Sequence, residues 1–184
     1  MSPAVTSPET LRRQIGWLCQ TIRFAAVIYA GWTLFQIVTL WLDKEKVMRA
    51  YGNWLKVDLS GITDGQRAAG FLVHATIAAL VVATIYAVWQ LFSGFLAGRV
   101  FTLDATLWLR RIGIFGLAAE MADIFSRPLV TGIVSMHREA GSRMVSVALN
   151  PNDLVFLMFL LSLIALGHIH KKAAELAEEN AGMV

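Results

Sequence analysis

Charge is what this sequence has least of. Only 16% of its 184 residues are Asp, Glu, Lys or Arg, against 57% hydrophobic, whereas an ordinary soluble domain is about a quarter charged. Cysteine is almost missing as well. Cys19 stands alone, which excludes an internal disulfide framework and a cysteine metal cluster, and it is expected to pack as a small apolar residue near the inner interface. The positive surplus is three charges, and although the pI is 9.3 no basic block is present, so no direct nucleic-acid binding is expected. No GxSxG, HExxH, phosphate loop or dinucleotide fingerprint occurs, and the chain is not expected to be an enzyme.

What is present is long uncharged sequence. Residues 24–42 run 19 positions and residues 68–97 run 30 positions without a charge, and a span needs roughly 20 apolar residues at 1.5 Å each. Arg12-Arg13 ahead of the first run resembles a secretory or twin-arginine signal. The run is longer than a signal core, however, and no small-x-small site follows before Asp43, so it is expected to be a retained span.

The expected fold class is all-α: a four-helix transmembrane bundle with short interfacial helices and a small extended segment in the third loop. The spans fall at about 23–42, 66–96, 112–136 and 154–170, with a polar cytoplasmic tail at 171–184. Ser7 and Pro8 open a helix with an apolar stripe of Leu11, Ile15, Leu18, Cys19 and Ile22, which either rests in the interface or extends the first span inward. Val47, Ala50, Tyr51, Trp54 and Leu55 fall at helical spacing and predict a surface helix anchored by its aromatics, although Gly52 argues against it. Thr63 and Gln66 form a capping-box pattern, Gly98 is placed to end the second span, and Thr102 to cap the next helix with Asp104 in its first turn. Residues 144–149 alternate with period two and predict a strand-like segment on the outer rim. Asn150-Pro151-Asn152-Asp153 then makes a turn and cap. Trp17, Trp41, Trp54, Trp89 and Trp108 lie near the expected interfaces, as an aromatic belt would.

Four spans put both termini on one side. Lys and Arg divide eight and eight between the two sides. The terminal-side positives cluster tightly at span ends, which favours cytoplasmic termini.

Inside the third span, Glu120, Asp123 and Arg127 share one helical face, with Asp123 one turn from Arg127. An ionised group at mid-bilayer costs about 3 kcal/mol, so such residues face a bundle interior or each other. The stripe could bind a cation, proton or small ligand. Alternatively, Asp123 and Arg127 neutralise each other, Arg127 reaches the outer headgroups, and Glu120 bonds to a neighbouring helix or subunit. His74, two turns inside the second span, is expected to be packed or interfacial, and a pairing with Glu120 is geometrically open. His137 is a poor haem partner for it, and His168 and His170 lie at the opposite end of the bundle, so no cofactor is expected.

From about Ser93 to Asn180 the chain resembles the DUF2975 family of small bacterial inner-membrane proteins. The resemblance rests on Gly98-Arg99-Val100-Phe101-Thr102, Leu109-Arg110-Arg111-Ile112-Gly113, Leu166-Gly167, Lys171-Lys172 and Glu175-Leu176-Ala177-Glu178-Glu179-Asn180. It implies four spans and no established activity. It also implies, by gene association, a pairing with a small helix-turn-helix regulator. The chain departs from the family at Asp104-Ala105, where Glu-Asn is usual, and at Glu120, Asp123 and Arg127, where apolar residues are expected.

The function expected from all this is that of a regulatory sensor or partner subunit in the bacterial inner membrane. Its contacts are the bilayer, a protein partner (the regulator or a larger membrane complex) and further copies of itself. The candidate partner-binding residues are Arg99, Phe101, Asp104, Arg110, Arg111, Lys171, Lys172 and Glu175, and the intramembrane candidates are Glu120, Asp123, Arg127 and His74. The alternative is a small oligomeric ion- or proton-coupled transporter that uses the intramembrane acids.

Overall fold

The computed structural model describes residues 8–100, 102–139 and 141–181. Among them are five helices and no strand: α1 (Pro8–Leu42), α2 (Lys44–Leu55), α3 (Asp64–Leu96), α4 (Leu103–Ser135) and α5 (Pro151–Ala181). Three helical segments are long and apolar enough to cross a membrane, Gly16–Leu42, Asp64–Leu96 and Pro151–Ala173. The chain is on this basis a membrane protein. The region expected to hold the third span, 112–136, lies in α4, which matches α3 in length but is broken by charge.

Local chemistry sets the helix ends. Asp43 leaves α1 in extended backbone and caps α2, its carboxylate accepting from the N–H groups of Glu45 at 2.9 Å and Lys46 at 3.2 Å. Those bonds, that of Lys46 foremost, hold its carboxyl below the usual range. Thr63 and Gln66 make the expected reciprocal box, Thr63 N–H to Gln66 Oε1 at 2.9 Å and Gln66 N–H to Thr63 Oγ1 at 3.3 Å. Gly98, at φ +79°, turns the chain out of α3, and Thr102 Oγ1 accepts from Ala105 N–H to start α4. Of the two forms open to the N-terminal segment, α1 takes the continuous one.

The chain divides into two compact units. A terminal unit comprises the described parts of Met1–Ala30, Val82–Gly116 and Met158–Val184, and a loop unit comprises Gly31–Val81 and Leu117–Leu157.

In the terminal unit, Ala87, Leu91, Ala105 and Ile112 form the buried centre, with Phe92, Phe95, Trp108 and Leu163 against it. Here α4 and α5 pack antiparallel at close range because glycines leave room. A methyl on Gly113 would meet the Leu160 carbonyl oxygen and the Ile164 backbone nitrogen, each at 3.2 Å, and one on Gly167 would meet the Arg110 backbone at 3.4 Å. Cys19 is buried in this unit, and Arg23 lays its guanidinium over Trp89, 3.7 Å from the ring centroid.

In the loop unit, α2 turns Val47 and Leu55 inward onto Trp41, Leu59, Ile62, Val130 and Val134. The surface helix anticipated from spacing is therefore present, packed through its aliphatic face. Trp41 is not a belt residue: it is 3% exposed, lies over Gly70, and has the rings of Tyr51 and His74 at 5.7 and 5.4 Å between centroids. Arg67 Nη1 donates to the Leu42 carbonyl at 3.0 Å and closes the end of α1. Gln66 Nε2 donates to the Ile133 carbonyl at 2.7 Å, and Arg138 Nη1 to the Asp58 carbonyl at 2.9 Å.

The segment expected to be strand-like forms no strand. Residues 143–150 have no regular secondary structure, because what lies beside them is a helix that bonds their backbone through side chains. The polar tail begins inside α5, and residues 182–184 lie outside the described ones.

Replacing Gly113 by Ala is expected to push α4 and α5 apart at a contact that backbone atoms make, at a cost of about 1–3 kcal/mol. Thermal unfolding in detergent checks it, with Gly31→Ala, whose added carbon meets nothing within 4 Å, as the neutral comparison.

Candidate functional site

The polar stripe of α4 is longer than its charges. Asp123, Arg127, Thr131 and Ser135 follow one another at four-residue steps, about 6 Å apart along the helix. Segment 143–150 runs back along this face. Residues two apart in extended chain advance about 6.6 Å, so every second backbone unit meets one side chain of the stripe. Ser135 Oγ accepts from Met144 N–H at 3.1 Å and lies 2.9 Å from the Met144 carbonyl oxygen. Thr131 Oγ1 accepts from Ser146 N–H at 3.0 Å and donates to the Arg127 carbonyl at 2.8 Å. Arg127 Nη1 donates to the Ala148 carbonyl at 2.9 Å.

Arg127 closes the series with a double contact to Asp153 in the first turn of α5. Nη1 bonds Asp153 Oδ2, and Nη2 bonds Asp153 Oδ1 at 2.9 Å and Asp123 Oδ2 at 2.8 Å. Asp153 Oδ2 also accepts from Asn150 N–H at 2.7 Å, which fixes the turn before α5. The guanidinium fork suits this work: two of its nitrogens serve four acceptor atoms. The side chains of Arg127 and Asp153 are 17% and 8% exposed, that of Asp123 44%. The expected Asp123–Arg127 pair is thus formed, but Arg127 points to Asp153 and a loop carbonyl and not outward to headgroups.

Glu120, one turn before Asp123, is partly buried and makes no hydrogen bond or ion pair among the described residues. His74 is not its partner. The His74 Nδ1 lies 3.1 Å from the Gly70 carbonyl oxygen, to which it donates, and the ring packs on Trp41. Nearby, burial and the charge of Asp123 push the Tyr51 phenol up to about 12.

The candidate partner residues belong to the terminal unit. Arg99, Asp104 and Arg110 are exposed, and the exposed Arg111 lays its guanidinium 4.4 Å from the Trp108 ring centroid. Lys171 and Lys172 both reach Glu175, at 3.5 and 2.9 Å, and the Lys172 bond chiefly holds the Glu175 carboxyl below its usual range. Phe101 lies outside the described residues.

Asp153, Thr131 and Ser135 were not among the sequence-derived site residues. The sequence marks Asp153 only as part of a turn and cap. Thr131 and Ser135 carry a visible signal, since they continue the four-residue step from Asp123 and Arg127.

Arg127→Met is expected to lower stability by roughly 3 kcal/mol, the low end for removing one partner of a buried ion pair, and to free segment 143–150. Thermal unfolding in detergent and the rate of tryptic cleavage after Arg143, relative to cleavage after Lys171, check both. Cleavage unchanged from the native protein would show that Arg127 does not hold the segment.

No curated protein and no solved structure matches the chain. The family described as a protein of unknown function, DUF2975, matches residues 50–184. The match extends the resemblance upstream from the second half of the chain through α3 and into α2. With most of its length inside that match, the chain belongs to the DUF2975 family.

Proposed function

We propose that this DUF2975 member is a four-span protein of the bacterial inner membrane, with both termini in the cytoplasm, that acts by binding, as a sensor or partner subunit, and not by catalysis. α4 is the third of the four spans in this reading. Its suitability rests on Arg127, whose charge is neutralised and hydrogen-bonded within the loop unit, as charges in a span must be. The same residue carries the functional proposal. One guanidinium ties α4, the segment 143–150 and the first turn of α5 together, so a charged ligand or partner that displaces it breaks the contacts to Asp123, Ala148 and Asp153 at once. α5 then runs on to Lys171, Lys172 and Glu175, where a cytoplasmic protein would read the change together with Arg99, Asp104, Arg110 and Arg111. A ligand shifts such an equilibrium only by its preference for one state, and the latch supplies two states to prefer.

A second reading, an oligomeric ion- or proton-coupled transporter, is favoured by Glu120, a carboxyl halfway along α4 without a bonded partner among the described residues.

Topology is tested with single cysteines in a Cys19→Ser background. Four spans expose both Ser60→Cys and Ser142→Cys to an impermeant maleimide from outside the cell. Three spans would shield Ser142→Cys and place the C-terminus outside.

For function, crosslinking and affinity capture from native membranes is expected to retain a cytoplasmic partner on the intact chain and lose it when the chain is cut after Ile169. Proton flux in liposomes that disappears in Glu120→Gln, with no partner captured, would transfer the assignment to the transporter.

A further inference from the structure

A second polar feature of the loop unit plays no part in the latch. The last turns of α1 and one face of α2 flank an open groove of about 630 Å³, lined by Phe35, Gln36, Thr39 and Leu40 on one side and Lys46, Arg49, Ala50 and Asn53 on the other. Its chemistry is graded. The α2 wall offers two cations and an amide, and no carboxylate lines the groove. The α1 wall is apolar where it leaves the groove: Phe35 and Trp32 are 58% and 59% exposed, with ring centroids 6.2 Å apart.

The cations are not used up by the protein. Arg49 donates only from Nε, to the Glu45 carbonyl at 3.4 Å, and forms no ion pair among the described residues. Its two terminal nitrogens are available. Lys46 has Asp43 at 3.7 Å, a long contact with both side chains nearly half exposed, which contributes little. An unpaired guanidinium beside an ammonium, above an exposed aromatic track on a membrane-spanning helix, is complementary to a molecule with an anionic head and a hydrocarbon tail. A free anion would satisfy the cations but leave Phe35 and Trp32 unused.

We infer that the groove between α1 and α2 is a binding site for an anionic phospholipid, its phosphodiester held by Arg49, Lys46 and Asn53 and one acyl chain laid along Phe35 and Trp32. Phosphate recognition by a guanidinium fork supported by an ammonium is the expected division of labour. The chain descends from the headgroup plane along α1, since Trp32 is ten residues, about 15 Å, from the end of that helix.

The test uses the full-length protein purified in detergent and offered equal amounts of phosphatidylglycerol and phosphatidylcholine, with bound lipid counted by native mass spectrometry. One phosphatidylglycerol is expected to be retained in preference to phosphatidylcholine. Arg49→Gln should reduce that preference about fivefold, the effect of one cation near a lipid phosphate, while Lys172→Gln, which removes a cation elsewhere, leaves it unchanged. Unfolding temperature in phosphatidylcholine alone confirms that Arg49→Gln is folded. Phe35→Ala should weaken retention of the lipid, and millimolar inorganic phosphate should not displace it. Equal retention by Arg49→Gln, or an equal loss in Lys172→Gln, would overturn the site. Full displacement by inorganic phosphate would make it a site for a free anion and overturn the lipid assignment. None of these readouts depends on Arg127 or on a captured partner, so the lipid site and the sensor proposal stand or fall separately.

Discussion

The loop unit depends on one cation. The Arg127 side chain is 17% exposed, a setting that disfavours an unpaired charge, and it persists because four acceptor atoms meet its two terminal nitrogens. Lysine could not replace it. A single ammonium lacks the planar fork that engages both oxygens of Asp153 while reaching Asp123 and the Ala148 carbonyl. Asp153 is equally over-determined, because it accepts the Asn150 N–H as well. The start of α5 is therefore placed by the same contact that holds the Arg127 guanidinium of α4.

From that contact the rest of the segment follows by register. Four residues of helix and two of extended chain advance nearly the same distance. Once Arg127 fixes Ala148, Thr131 meets Ser146 and Ser135 meets Met144. The hydroxyls take the place of a neighbouring strand for the inward backbone groups, while Val145, Val147 and Leu149 project outward at 64%, 83% and 58% exposure. A segment without regular secondary structure still needs partners for its inward backbone groups, and the α4 stripe provides them.

The legibility of this arrangement in the sequence was uneven. Helices stood out wherever periodicity and caps agreed: Thr63 with Gln66, Gly98, and Thr102 are local devices, and local devices show in a local window. The Asp123–Arg127 pair was legible for the same reason, as neighbours on one helical face. Asp153 was not, because its bond to Arg127 spans 26 residues and no spacing rule reaches that far. The 144–149 segment shows the opposite failure. Its period-two pattern was correctly seen, but that pattern reports only extended backbone with two unlike faces, and whether a strand or a helix lies alongside is a tertiary fact. Trp41 was misplaced similarly. Tryptophan near a span end usually marks an interface, and only Gly70, 29 residues away, makes room for the ring to be buried.

The two units are held by different physics, and that difference bears on how a signal could act. In the terminal unit, Gly113, Gly116 and Gly167 bring α4 and α5 together by close van der Waals packing, which is indifferent to ions and protons and has one best geometry. In the loop unit the same two helices meet through a charge-assisted network, whose strength depends on the charges it holds. The proposed charged effector would act at Arg127 and its carboxylates, not at the glycines. If the protein is a sensor, its sensitive end is the loop unit. The glycine-packed unit carries Arg110, Arg111, Lys171 and Lys172 exposed at its surface, where the proposed partner would bind.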